Sequence, residues 1–390
     1  MLRLFPALLL VWLLFWLNQP CSYAAWYGAW KYRKKITILA AKVENSNQNA
    51  FPVLINATEV VWKDVANLGH VAQNDGGDFL FTGSDGSSKL AHEIEEYNPA
   101  TGKLVAWVNI PVLSSSADTV IYLYYGNAAC ADQWAADGST WNADYVAVQH
   151  LNEIIADGVT GHMDSTANGH HGTPYNFQAG AGSTDSAGKI DGADLFDGNN
   201  DYVLIPDHDQ LSPHTGAGGE MTVAAWIYMD DLPAVGGQNR RPPVAKGNGG
   251  GTWEYALYVF TDGKVGFSVW QLSGSGHNEI SGGSITADAW HYLVGAYKKG
   301  DYCAIYMDGA LVTSSGSFTG DTGNGASPVY IGRRGDGQFI NAIIDAVRIS
   351  KVARSADWIK TSFNNQNDPS TFYAIDPIEQ KARGSSVKGG

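Results

Sequence analysis

Residues 255–270 read YALYVFTDGKVGFSVW, and this stretch decides the fold class. Aromatic and β-branched residues fill Tyr255–Phe260 and Val265–Trp270, and Thr261-Asp262-Gly263-Lys264 separates them. An Asp-Gly pair between two such runs suits a tight hairpin, because aspartate and glycine tolerate the positive φ angles that the turn requires. The same signature continues outward in both directions as short alternating runs bounded by Gly, Asn, Asp and Ser. Tyr202–Ile205 and Thr222–Tyr228 precede the hairpin, and His291–Tyr297, Cys303–Met307, Val329–Ile331 and Ile343–Ile349 follow it. An earlier group comprises Lys35–Ile38, Asp78–Phe81, Leu104–Ile110 and Val120–Tyr125. The pattern predicts an all-β chain of two β-sandwich domains with one short C-terminal helix. Ser355 is the expected N-cap of that helix, with Ile359 and Phe363 on one of its faces. The predicted division is a first sandwich over 25–130, a linker over 131–145, a second sandwich over 146–380 and a flexible tail over 381–390.

Composition limits the function classes. The 390 residues include 46 Gly, 13 Trp and 19 Tyr but only 16% charged residues, which describes turns and aromatic surface, not a coiled coil or a disordered chain. With 25 basic against 39 acidic residues the net charge is -14, so nucleic acid is not an expected partner. Leu4–Leu17 is apolar, follows Arg3 and leads to the small residues of Ser22-Tyr23-Ala24. This predicts a signal peptide over 1–24 and a secreted or extracytoplasmic protein, with an uncleaved anchor as the alternative. No later segment approaches the roughly 20 apolar residues of a membrane helix. Cys130 and Cys303 do not make a disulfide framework, and Cys303 alternates with Ile305 and Met307 on an expected core face.

Two resemblances follow from particular motifs. Trp30–Ile38, Gly77–Thr82, His92–Glu95 and Ile121–Asn127 together resemble the domain-of-unknown-function 2341 family, which implies a secreted module without a known chemistry. Asp164–Thr173, Phe196–Val203, Ala225–Ile227, Trp290–Leu293, Tyr306–Gly309, Tyr330–Arg333 and Ile344–Ile349 resemble concanavalin A-like, laminin G-like jelly rolls. That fold carries glycan binding, protein binding and hydrolysis on one scaffold. The two blocks in series are also similar to the extracytoplasmic part of longer proteins that continue into a proton-channel subunit of the MotA, TolQ and ExbB kind.

The Glu-x-Asp-x-x-Glu spacing of glucanases that share the fold does not occur, so no enzymatic activity is expected. His92-Glu93-Ile94-Glu95-Glu96 comes nearest, and its carboxylates read as an outward strand face. Trp253, Tyr258 and Trp270 crowd the hairpin, where flat rings can stack on a sugar, and Arg240 lies in a Gly-rich loop over Val235–Thr252 that can reach over a ligand. Asp345 stands in an apolar strand and needs a partner or a cation. Asp164 and Asn168 are candidate companions for a structural Ca²⁺, with Arg348 or a loop backbone as the alternative partner of Asp345. His162, His170 and His171 read as solvated loop histidines, not as a zinc site. Arg334-Gly335-Asp336 reads as a turn.

The expected function is non-enzymatic binding of a glycan or surface protein. The alternative is a structural or sensory subunit with envelope or filament partners. The leader motif predicts that N-terminal sequencing of exported protein begins at Ala25; retention of Met1 would contradict it.

Overall fold

The structure is a computed structural model that describes residues 25–135, 137–177, 184–213, 219–232, 240–248, 252–271 and 276–382. The expected leader over 1–24 and most of the expected tail lie outside these residues.

In the first sandwich, Lys103–Leu113 is the centre of a three-stranded sheet between Gln48–Thr58 and His92–Asn98. The facing sheet runs in the order Tyr373–Ile375, Tyr32–Ile38, Thr119–Tyr125, Leu80–Gly83. Tyr373–Ile375 and Glu379–Gln380 both pair with Tyr32–Ile38. The expected second domain, 146–380, therefore ends inside the first sandwich, because the C-terminal residues return to complete its sheet.

The second sandwich is a jelly roll of two antiparallel sheets. One has the order Ala310–Gly316, Tyr302–Met307, Trp290–Lys298, Glu220–Tyr228, Asn341–Ser350, Gly192–Asp197, Thr184–Ala187, with Tyr145–Gln149 also pairing Asn341–Ser350. The other has the order His277–Gly282, Val265–Trp270, Tyr255–Phe260, Arg240–Lys246, Val329–Ile331, Tyr202–Ile205, Thr173–Tyr175. Between them Val223, Ala225, Ile227, Leu257, Phe267, Leu293, Cys303 and Ile305 form one core. Cys303 occupies the core position that alternation predicts.

The opposite faces of the same strands show how the halves join. Ala224 and Trp226 alternate with the core residues and turn to the outer face, into an apolar cluster that includes Phe51, Leu54, Trp107, Trp358 and Ile359. Helix Ala356–Asn367 lies in this layer, and its N-cap is Ser355, whose hydroxyl oxygen accepts from Trp358 N at 3.2 Å. Gln366 accepts from the Trp226 indole at 2.8 Å. Asn365 accepts from Leu54 N at 2.7 Å and donates to Leu54 O at 3.0 Å, so a side-chain amide occupies the open edge of a strand. The helix thus wedges between the sandwiches, beyond its expected role of closing the second. The expected linker belongs to this core too: Trp141 is buried and lies 5.2 Å from the Trp107 ring. The unbroken apolar run Leu104–Val108 matches a sheet covered on both faces.

A bulge sets the interface on the jelly-roll side. Ala224 pairs with Arg348 but Trp226 pairs with Asp345, so the bulged strand has one extra residue there. Ala346 takes φ 52°. That region is unfavourable for a residue with a Cβ and natural for glycine. Ala346→Gly is accordingly expected to leave stability within about 0.5 kcal/mol of wild type, while Ala296→Gly, in the regularly paired neighbouring strand Trp290–Lys298, loses about 1 kcal/mol. Denaturant midpoints check both; equal losses would contradict the strain assignment.

Candidate functional site

Trp253 and Trp270 come together at the rim of the second jelly-roll sheet, with ring centroids 5.7 Å apart. Trp270 stacks on its cross-strand partner His277 at 5.4 Å and 17°. Arg334 lies 4.6 Å from the Trp253 ring and is itself held by Asp336 at 2.6 and 3.0 Å. Arg334-Gly335-Asp336 is therefore a self-paired turn. Both tryptophans are half-buried and His277 is exposed. Neither indole N–H is engaged by a hydrogen bond among the described residues, unlike those of Trp107, Trp141 and Trp226. A flat apolar face with a free donor at its edge is suited to a ligand that is both ring-shaped and polar.

Tyr258 and Arg240 do not join this pair. Tyr258 is fully buried, its hydroxyl hydrogen-bonded to Ser268, and burial raises its phenol pKa. Arg240 is in a strand, not a loop: Arg240–Lys246 pairs with Tyr255–Phe260. A register shift between Arg241 and Val244 accommodates Pro242-Pro243 there. Arg240 donates to both Glu279 oxygens at 2.9 and 3.0 Å and lies 5.4 Å from the Tyr258 ring, so it covers that ring. Lys246, also expected in the loop, is fully buried; it pairs with Glu254 and donates to Asp207 at 2.7 Å. That ion pair fixes the residue next to Trp253 and so steadies the rim. Residues 235–239 and 249–251 of the expected loop lie outside the described residues.

The expected metal ligands are occupied by protein donors. Asp164 Oδ1 accepts from Val148 N at 2.9 Å and Thr166 N at 3.0 Å, and Oδ2 from His170 N at 2.9 Å and the Thr166 hydroxyl at 2.8 Å. Donors converging on both oxygens organise a loop; a cation would need the same lone pairs. Asn168 donates to Tyr145 O and Val146 O, and its carbonyl accepts from Gln210. Asp345 Oδ2 accepts from Ile190 N at 2.9 Å, so its partner is a loop backbone, not Arg348. Burial pushes the Asp345 carboxyl up to about 8, helped by the charge of Glu95. Among the described residues no group of three or more His, Cys, Asp or Glu is arranged to hold a metal ion.

The charged group that sequence reading placed wrongly lies between the sandwiches. Glu93 and Glu95 do face outward from their strand, but that outward face is covered by the jelly roll. His150 Nε2 is 2.8 Å from Glu93 Oε1, and its Nδ1 is 3.1 Å from Glu95 Oε2. Trp141 donates to Glu93 at 2.7 Å, Trp107 to Glu95 at 2.6 Å and Ser165 to Glu93 at 2.7 Å. The Arg348 guanidinium lies 4.4 Å from the Trp107 ring. Burial works to lower the His150 pKa, but Glu95 and Glu93 overcome it and hold it at about 9. Burial works to raise Glu93, and the charge and hydrogen bond of His150 bring it below its usual value. Burial raises Glu95. His162 is likewise not solvated: it is fully buried, with Glu153 at 3.1 Å and Asp194 at 3.2 Å. Burial lowers its pKa, but the hydrogen bonds to these two carboxylates raise it to about 9. His170 is buried as well, and His171 accepts from Asp164 N at 3.0 Å.

Residues 197–360 match the family described as the concanavalin A-like lectin/glucanases superfamily, and residues 75–144 match a domain of unknown function, DUF2341. The matches fall in the order of the motifs. No curated protein matches the chain. Among solved structures, it is similar to the binding domain of Paraclostridial Mosquitocidal Protein 1 at 13% identity, covering 56% of this chain and 52% of that one, with TM-score 0.43. The botulinum neurotoxin serotype D binding domain gives 11% identity, 60% and 53% coverage and TM-score 0.44. The botulinum neurotoxin DC binding domain, solved in complex with SialylT, gives 12%, 57%, 52% and 0.41. The chain spans about half the length of these structures. The jelly-roll assignment rests on the family match and the strand order. Among the described residues no helix is long and apolar enough to cross a membrane.

The raised histidines set a direction for pH dependence. A histidine whose pKa rises on folding contributes stability that is fully present below its unfolded value of about 6.5 and lost as pH rises through its folded value. With His150 and His162 both near 9, the melting temperature is expected to fall between about pH 6.5 and 9. Replacing His150 by Gln should flatten part of that slope. A melting temperature constant across the interval would contradict the charged assignment.

Proposed function

We propose that this chain is an extracytoplasmic, non-catalytic binding protein whose jelly roll holds a glycan, or the glycan-bearing surface of a protein, against Trp253 and Trp270. The observation that carries this reading is the rim pair itself: two adjacent half-buried indoles with unengaged N–H groups, steadied by Arg334, His277 and the buried Lys246–Glu254 pair. A rigid ring loses little conformational freedom when a ligand stacks on it, so its contact area converts efficiently into affinity. The concanavalin A-like family match supports a binding role for the domain that carries the rim. The nearest carboxylate grouping, Glu93 with Glu95, is covered by the second sandwich and tied to His150, with the Glu95 side chain fully buried, which supports a non-catalytic reading. Export is supported by the leader motif in the sequence.

Glycan-array screening of the chain from Ala25, followed by titration of the best ligand, tests this. Trp270→Ala and Trp253→Ala are each expected to weaken binding by about 10-fold or more, while lowering stability by less than the roughly 3–5 kcal/mol of a core tryptophan. Unchanged affinity in both folded variants would overturn the site. Glycan cleavage lost on a single carboxylate substitution would overturn the non-catalytic reading.

A further inference from the structure

Most described arginines are matched to a carboxylate. Arg33 pairs with Glu379, Arg240 with Glu279, Arg334 with Asp336 and Arg354 with Asp144. Arg333 and the buried Arg348 have no ion pair among the described residues, in a chain where acids outnumber bases 39 to 25, and of the two only Arg333 reaches solvent. Carboxylates are not scarce; this guanidinium is left without one. It is instead held by rings: its carbon lies 4.4 Å from the Tyr202 centroid, 4.6 Å from Tyr330 and 5.4 Å from Phe339. Its protein acceptors are the Arg334 and Gly335 carbonyls, each at the long distance of 3.4 Å, and the Tyr202 hydroxyl.

The position is on the outer face of the jelly roll. Tyr202 alternates with the core residue Val203, and Tyr330 lies between the core residues Val329 and Ile331, so both tyrosines point away from the inter-sheet core. Tyr175, the cross-strand partner of Tyr202, stacks on it at 5.1 Å and 22°. Tyr175, Tyr202 and Arg333 are all half-buried and so still meet solvent. Consecutive residues divide the work: Arg334 is engaged by Asp336 beside Trp253, and Arg333 is open beside Tyr202.

We propose that Arg333 reads an oxyanion, a carboxylate or a sulfate ester, on an acidic saccharide that rests along the exposed edges of Tyr175 and Tyr202. This rests on the saccharide-binding reading above and extends it to the charge of the ligand. The planar fork of a guanidinium matches the two oxygens of a carboxylate or sulfate, and the three rings already restrict its rotamers. The stacked tyrosines present their ring edges and hydroxyls to the sugar beside the charge.

The test uses the chain from Ala25 and pairs of oligosaccharides that differ only in charge: an oligogalacturonate with its carboxyl-reduced form, and a sulfated galactan oligosaccharide with its desulfated form. Wild type is expected to bind the charged member of one pair about 10-fold or more tighter than its neutral counterpart, and the pair that shows this identifies the oxyanion. Arg333→Gln should abolish the preference, so that the charged and neutral members bind equally. Arg333→Lys, which keeps the charge but not the fork, should retain only part of it, and it carries the comparison if the glutamine variant melts lower. Equal affinity for both members, or a preference that survives Arg333→Gln, would overturn the proposal while leaving saccharide binding standing. Failure of every member to bind would overturn both.

Discussion

The contact of Glu93 and Glu95 with His150 is the constraint on which the arrangement of the chain depends. Carboxylates and an imidazole taken out of water cost several kcal/mol each unless they find one another and their remaining lone pairs are filled. Here the partners come from both sandwiches: the carboxylates from His92–Asn98, the imidazole and Ser165 from the second half, and the indoles from Lys103–Leu113 and the connecting segment. Separating the halves would leave each set of charges against an apolar surface without its complement. The register shifts near Glu95 and Ala346 lie on the two facing strands, where bulges re-aim side chains into the contact.

This joint determines which surface remains for a ligand. The first sandwich and helix Ala356–Asn367 occupy the outer face of the sheet that contains Trp226, and Gln366 and Phe363 close over that ring. The outer face and rim of the other sheet are where Trp253, Trp270, Tyr202 and Arg333 lie. Its buried ion pair, Lys246 with Glu254, supports the aromatic rim from below and does not itself face a ligand.

Much of the fold was legible because it is written in local rules. Thr261–Lys264 joins its two strands as the Asp-Gly pair predicts, Ser355 caps its helix, and Cys303 faces the core. Glu93 and Glu95 were misread because alternation shows which residues share a face and says nothing of what covers that face. Tyr258 was misread for a similar reason: its outward face is covered by Arg240, held there by a glutamate on a strand two positions away in the sheet. Arg240–Lys246 was hidden by the glycines around it and carries Pro242-Pro243, which a bulge absorbs. The return of Tyr373–Gln380 to the first sandwich left no local trace, since strand pairing across the length of a chain is decided by tertiary packing.

The two sandwiches form one folding unit, joined by the Glu93/Glu95–His150 contact, the wedged helix and the returning C-terminal strands. Differential scanning calorimetry at pH 6.5, with tryptophan fluorescence on the same samples, tests it most directly. A single transition is expected, coincident by both probes, with a van't Hoff enthalpy close to the calorimetric one. Two resolved transitions, one for each sandwich, would contradict it.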